Sequence, residues 1–386
     1  MGISAFLVLL LLFAAWGYQL LALVSLWRFF KPTGPPPSAT AGPGITVFKP
    51  LKGLEATTRE CLESFLSQTY QPYQVIFGVR DPDEPLVPLL QDLREAHPEP
   101  EIEIVFCPET LGLNPKISSL RQMEARARYD LLVIADADVK VGPDFLSRVA
   151  AALQEPGMGL VSCVYRFGPA PTLGAKLEAL TIAADFIPSV VTAHYVEGIR
   201  FALGAAMALT RQAWQTIGGF APLADFLADD YQLGYRAAEA GLGVKVLSYV
   251  IETQNPDLSL QDYLLHQLRW ARASRICRPK AYLAYGITHA LVYSLILCGA
   301  SGAVPWTLGW LAATLTLRWT LAALSEWNCL RGYLRRNDFW LLPVKDLLYF
   351  GIWALSFLGN RVTWGGRQYW ITREGRLMIA DKNITV

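Results

Sequence analysis

The apolar run from Leu131 to Ala135 stops on two aspartates, Asp136 and Asp138, with a single alanine between them. Carboxylates beside a hydrophobic strand need compensation, because burying unpaired charge is costly. A hard divalent cation, Mg2+ or Mn2+, supplies it, since such ions take one or two carboxylates and complete their shell with phosphate oxygens. The pair is therefore a candidate metal site facing a diphosphate. The plainer alternative is a solvated turn after a strand. No G-x-G-x-x-G follows the first strand and no G-x-x-x-x-G-K-[ST] occurs, which disfavours dinucleotide and P-loop chemistry.

Two further stretches carry chemistry. "LADDYQLGYRAAEAG" places Asp229 and Asp230 at a predicted helix start, where negative charge is favoured. Asp229 is expected to be a helix-capping acid, leaving Asp230 for chemistry. "LLHQLRWARASR" groups His266, Arg269 and Trp270 with Arg272 and Arg275. Positions 266, 269 and 270 share one helical face. A basic, aromatic helix is also what a membrane interface selects.

The elements that must position these residues alternate. Short apolar runs "ITVFKP", "QVIFGV", "IEIVF" and "LLVIADA" are separated by helical stretches such as "TTRECLESFLSQ" and "NPKISSLRQMEARAR". Such alternation predicts an α/β domain over 45–278 with parallel strands and crossover helices. Ligands of such sheets collect beyond the C-terminal strand ends. Asp81 and Asp83 follow the second strand and Asp136 and Asp138 end the fourth, so four carboxylates converge on one edge.

Composition adds a membrane. Hydrophobic residues make up 53% and charged residues 17% of the 386, and the net charge of +1 argues against a nucleic-acid partner. The stretch before Arg28 carries no charge and is long enough to cross a bilayer at about 20 residues per span. It lacks the basic start and cleavage site of a secretory signal, so residues 1–30 are expected to be a retained anchor. Arg28 and Lys31 place the following domain in the cytoplasm, after a Pro/Gly linker over 31–44. Two more spans are expected within 279–327, with Arg318 facing the protein. Residues 328–386 are expected to form an interfacial or re-entrant segment, holding Lys345 and Asp346, and a basic tail that includes Arg361, Arg367 and Lys382. The apolar stretch 172–200 is expected to be a lipid-facing helix that guides an acceptor, or else a helix packed on the sheet. Six cysteines without C-x-x-C spacing indicate reduced thiols.

The order Asp83, "DADV", "DDY", "LRW" resembles the membrane glycosyltransferases of the GT-A fold with D, D-x-D, [ED]-D and [QR]-x-x-R-W signatures. "KPLKG" at Lys49–Gly53, "GLNPKISSL" at Gly112–Leu120, and Trp364 with Tyr369 in the tail are similar to ceramide glucosyltransferases and their bacterial relatives. The resemblance implies a Rossmann-like GT-A domain in a bacterial inner membrane, facing the cytoplasm. It implies inverting transfer of glucose from UDP-glucose to a lipid hydroxyl, most simply that of ceramide. A UDP-N-acetylglucosamine-dependent transfer to a hopanoid polyol is the alternative, and a processive polysaccharide synthase a remote one. By the same resemblance Asp81 and Asp83, with Glu84 beside them, contact uridine. Lys52, Asn114 and Lys116 lie along nucleotide and diphosphate. Asp138 binds the metal with Asp136, which also contacts ribose or sugar. Asp230 is the base, and Arg269 and Trp270 hold the leaving group. His266 stands where the family has Gln or Arg, and is expected to contact the diphosphate.

Overall fold

The computed structural model describes residues 3–32 and 40–380. Half of the expected linker, residues 33–39, and Lys382 of the tail lie outside the described residues. The centre is an eight-stranded mixed sheet of β1 (Ala41–Pro50), β2 (Gln71–Val79), β3 (Glu101–Phe106), β4 (Leu131–Ala135), β5 (Val139–Lys140), β6 (Met158–Phe167), β7 (Ala206–Thr210) and β8 (Gly243–Thr253). Their order is β3-β2-β1-β4-β7-β6-β8-β5.

The parallel strands form as the alternation predicts: β1 pairs with β2 and β4, and β2 with β3. Both faces are covered, so the central runs are continuously apolar. Val47, Val75, Phe77 and Val133 face one core, while Phe48, Ile76, Leu132 and Ile134 face the other. The sheet is mixed, because β7 runs antiparallel to β4 and β6. The chain leaves β6 at the edge where β4 ends and returns to the sheet at that same edge, with Ala206 opposite Ala135. No crossover reverses its direction, so the pairing must be antiparallel. This return delivers Gly204 and Ala205 to the carboxylate edge.

A helical layer covers this domain. The N-terminal helix Ile3–Phe29 packs on helices Ile187–Val196, Ala290–Ala300 and Pro305–Ala323. Trp16 donates to Thr314 (3.0 Å), which shares a 2.7 Å hydrogen bond with Ser294. Among the described residues three helical stretches are long and apolar enough to cross a membrane, Ala5–Phe29, Leu173–Val196 and Arg336–Ser356, and a fourth if the bent pair Pro279–Thr288 and Ala290–Ala300 counts as one.

Of the two readings of 172–200, the structure has the helix packed on the sheet: the middle of Leu173–Val196 lies inside the protein, and its ends, at Leu173, Tyr195 and Val196, are exposed. The basic tail is structured. It folds into a three-stranded antiparallel sheet of β9 (Arg361–Trp364), β10 (Arg367–Ile371) and β11 (Leu377–Ile379). Gly365 and Gly366, both at positive φ (56° and 79°), make the two-residue turn between β9 and β10. Val362, Tyr369, Ile371 and Leu377 then pack on Leu227 of the main domain.

Arg318 faces the protein, as expected. Its guanidinium donates to Asp346 (2.9 and 2.6 Å) and to Asp185 (3.1 Å). Lys345 bonds the same two acids, lying 2.7 Å from Asp346. The charges that marked 339–358 as interfacial are thus turned inward.

Candidate active site

The strand-end turn is built first. Asp136 follows β4, and its N–H donates to Ala205 O at 3.0 Å. Lys49, at the end of β1, is fully buried and donates to the carbonyls of Asp136 and Val139 across the Asp136–Asp138 turn. Its ammonium lies 4.3 Å from the centre of the Phe65 ring. Burial lowers its pKa to about 8. Lys49 went unassigned in the sequence, where Lys52 of the same "KPLKG" was chosen. The available signal was a lysine inside the strand run "ITVFKP" itself.

Lys116 ties the acids together. It sits in the first turn of helix Pro115–Met123, 2.6 Å from Asp136 Oδ1 and 3.6 Å from Asp229 Oδ2, and donates to Gly204 O at 3.2 Å. Burial pulls its pKa down, but the carboxylates of Asp136, Asp229 and Asp230 outweigh burial and leave it raised. Asn114 caps that helix by accepting from Ile117 N–H (3.1 Å), and donates to Phe226 O (2.8 Å) and Asp229 Oδ1 (3.2 Å). Fully buried, it joins two loops.

Asp229 corrects its assignment as a cap. It opens helix Asp229–Glu239 without a side-chain capping bond and faces Asn114 and Lys116 instead. Asp230 stands against Gly204, where a Cβ would lie 2.9 Å from Asp230 Oδ2. Burial, then the charge of Asp229, raises the Asp230 pKa to about 6. Burial, then Asp136, raises Asp138 likewise to about 6. No described cation lies within ion-pair distance of Asp138. Among the described residues no group of three His, Cys, Asp or Glu forms a metal cage. Two carboxylates at a strand end still fit a cation that completes its shell with phosphate oxygens.

The basic wall comes from helix Leu260–Cys277. Arg269 lies under Trp364 of the tail sheet, its guanidinium carbon 6.0 Å from the ring centre, and burial lowers its pKa. Trp270 stacks obliquely on Phe186 (5.3 Å) and meets His266 edge-on (4.6 Å). His266 turns to Glu178, with Nδ1 3.2 Å from Oε1. The sequence reading did not find Glu178. Asp136, Lys116, Asp229 and Asp230 thus form one cluster, with Lys49 beneath it. Lys52, Asp81 and Asp83 are exposed at the rim without contact to that cluster. Asp83 N–H donates to Asp81 Oδ1 at 3.0 Å, closing a local turn.

Residues 7–377 match the model of glycosyl transferase family 21. The chain belongs to that family. The chain is similar to Ceramide glucosyltransferase 3 of Caenorhabditis elegans, 23% identical over 260 residues, 66% of this chain and 56% of the nematode protein. An N-acetylglucosaminyltransferase of Mesorhizobium japonicum is 22% identical over 395 residues, 90% of this chain and 86% of that one. The chain thus spans little more than half the length of the nematode ceramide glucosyltransferases it matches. In fold it resembles the mannosyltransferase PcManGT of Pyrobaculum calidifontis, solved with GDP-Man and Mn2+. That match has TM-score 0.55 and 22% identity, and covers 92% of this chain and 98% of the other. The GT-A architecture expected of the sheet is the one observed.

Proposed function

We propose that this family 21 protein is a membrane-bound inverting hexosyltransferase that moves glucose from UDP-glucose to a lipid hydroxyl, with ceramide the first acceptor. The observation that carries it is the uneven charge of the strand-end cluster. Lys116 pairs with the Asp136 carboxylate and Lys49 holds its backbone carbonyl, while among the described residues no cation lies within ion-pair distance of Asp138. A divalent metal, Mg2+ or Mn2+, held by Asp138 and Asp136 would stabilise the diphosphate of the leaving UDP electrostatically. Lys116 and Arg269 stand ready for the remaining phosphate charge, and Trp364 excludes water above Arg269. Asp230, with its raised pKa, accepts the proton of the acceptor hydroxyl. The hydroxyl oxygen forms the new bond to the anomeric carbon as the carbon–phosphate oxygen bond breaks. UDP departs with the electron pair, and the α-linked donor gives a β-linked product. Asp81 and Asp83, with Glu84, would contact the uridine, and Lys52 would lie along the nucleotide and diphosphate.

The exposed apolar side chains Phe6, Leu10, Phe13, Leu20, Val24 and Trp27 of the N-terminal helix support an anchor in a bilayer. We assign it to a bacterial inner membrane, with the sheet domain in the cytoplasm and further spans within 279–327. The Mesorhizobium N-acetylglucosaminyltransferase, matched over most of both chains, favours N-acetylglucosamine as donor in one second reading, for which we take a hopanoid polyol as acceptor. The test is purified protein in lipid nanodiscs, offered UDP-glucose and UDP-N-acetylglucosamine with ceramide and hopanoid polyols. One pairing is expected to turn over, to stop in EDTA and to recover with Mg2+ or Mn2+. Full activity in chelator removes the metal assignment, and no transfer to any lipid removes the acceptor class.

A further inference from the structure

Glu178 is a buried carboxylate, 2% exposed, on helix Leu173–Thr181. Burying a carboxylate costs free energy, and an apolar residue would pack that helix more simply. The docking of its helix on Leu260–Cys277 is already secured elsewhere. Thr172 donates to Leu258 O at 2.7 Å, Gly174 closes against Ser259 backbone, and Thr181 shares a 3.0 Å hydrogen bond with Tyr263. What the carboxylate adds is two acceptors aimed at the helix of Arg269 and Trp270. Gln267 donates to Oε2 at 2.9 Å, and His266 Nδ1 meets Oε1 at 3.2 Å.

A carboxylate only accepts, so with Oε1 3.2 Å away the site favours a proton on Nδ1 of a neutral His266. Its Nε2 is then a bare acceptor, on the edge turned away from Glu178 and without a partner among the described residues. A neutral imidazole in this tautomer has no donor left for a phosphate oxygen. It suits a group that gives a proton into a hydrogen bond, namely a hydroxyl.

We propose that Glu178 is a positioning residue that fixes the Nδ1–H tautomer of His266, and that His266 Nε2 accepts a hydrogen bond from a substrate hydroxyl rather than touching the diphosphate. The hydroxyl belongs to the donor sugar or to the lipid acceptor. The inference rests on the transferase reading for its substrate. Its tautomer does not.

Two measurements on the full chain in nanodiscs test it. Histidine 15N NMR, with His266→Gln to assign the resonance, is expected to show a neutral ring protonated at Nδ1. Glu178→Leu, which leaves Nδ1 no acceptor, is expected to shift that proton toward Nε2. A wild-type imidazolium or Nε2–H form overturns the proposal even if no substrate is found. The second measurement is kinetic. Orienting partners of functional histidines are worth about 10–100-fold, so Glu178→Leu is expected to lower kcat/KM by that factor in the wild-type background and less than twofold beside His266→Gln. An equal loss in both backgrounds marks a merely structural carboxylate and overturns the proposal. Pairing His266→Ala with deoxy-sugar donors, then with acceptors lacking one hydroxyl, names the source. Non-additive losses with the donor series place the hydroxyl on the sugar, and with the acceptor series on the lipid. Additive losses in both overturn it. Failure of transfer by the wild type counts against the transferase reading alone, because the NMR result stands apart from it.

Discussion

Two regions of this molecule hold clustered charge away from water, and they are built differently. In the helical layer, Asp185 and Asp346 face Arg318 and Lys345, and each acid meets both bases. Two negatives meet two positives, and the ring is closed. At the strand ends Asp136, Asp138, Asp229 and Asp230 outnumber Lys49 and Lys116, and even Arg269 leaves the acids in excess. Burial penalises any uncompensated charge. The closed ring therefore reads as a fastening of helices, and the open cluster as half of a complex whose other half arrives with the substrate.

The sharpest way to separate the two is to neutralise one acid in the open cluster. Asp230→Asn is expected to lower transfer by about 10²–10⁴-fold with little change in UDP-sugar affinity, as loss of a general base does. Isothermal titration alongside initial rates checks both halves, and a loss of donor binding equal to the loss of rate would make Asp230 a binding group. The same residue predicts a pH limb. Only ionised Asp230 accepts a proton, and its free-enzyme pKa is raised to about 6. At saturating metal, kcat/KM is expected to fall as pH drops through about 6. A flat profile down to pH 5 moves the base elsewhere.

The closed ring should respond in stability instead. Arg318→Ala leaves Asp185 and Asp346 with Lys345 alone, and breaking a buried pair costs about 3–5 kcal/mol. Thermal unfolding in detergent should show that loss as a lowered Tm. Donor affinity measured below the transition should hold. A collapse of donor binding with Tm unchanged would join the two regions functionally. The smallest expected effect is the most local. Gly204→Ala puts a methyl group 2.9 Å from Asp230 Oδ2, forcing a shift of the base with no charge altered. A 1 Å misplacement can cost about 10²-fold in rate, and a partial shift here is expected to cost about tenfold. Wild-type rates in Gly204→Ala would show that Asp230 has freedom to move.

The open cluster was legible in sequence for a physical reason. Asp136, Asp138 and Asp230 break apolar runs at element ends, where polar residues have few structural duties, and Arg269 and Trp270 stand together on one helix face. Residues whose work is done inside elements were hidden. Lys49 sits within the strand run that forms β1, and Glu178 is one acid in a stretch that reads as apolar from end to end. Asp229 was misjudged because a helix start favours an acid whether it caps or pairs. The reversed β7 could not be seen, since five residues, "AMALT", carry no sign of direction. The tail sheet escaped because its strands are three to five residues long. The inward charges of 339–358 resembled an interfacial segment because their partners lie on distant helices.

That tail sheet also sets an order of assembly. Trp364 covers Arg269, and the N–H of Leu377 donates to Asp225 O at 2.6 Å, next to Phe226, whose carbonyl bonds Asn114. The ribosome makes residues 361–379 only after every helix of the hydrophobic layer. A nascent chain therefore carries an unroofed Arg269 until its apolar helices have left the ribosome and begun to pack. The roof over Arg269 is thus the last part of the site to be built.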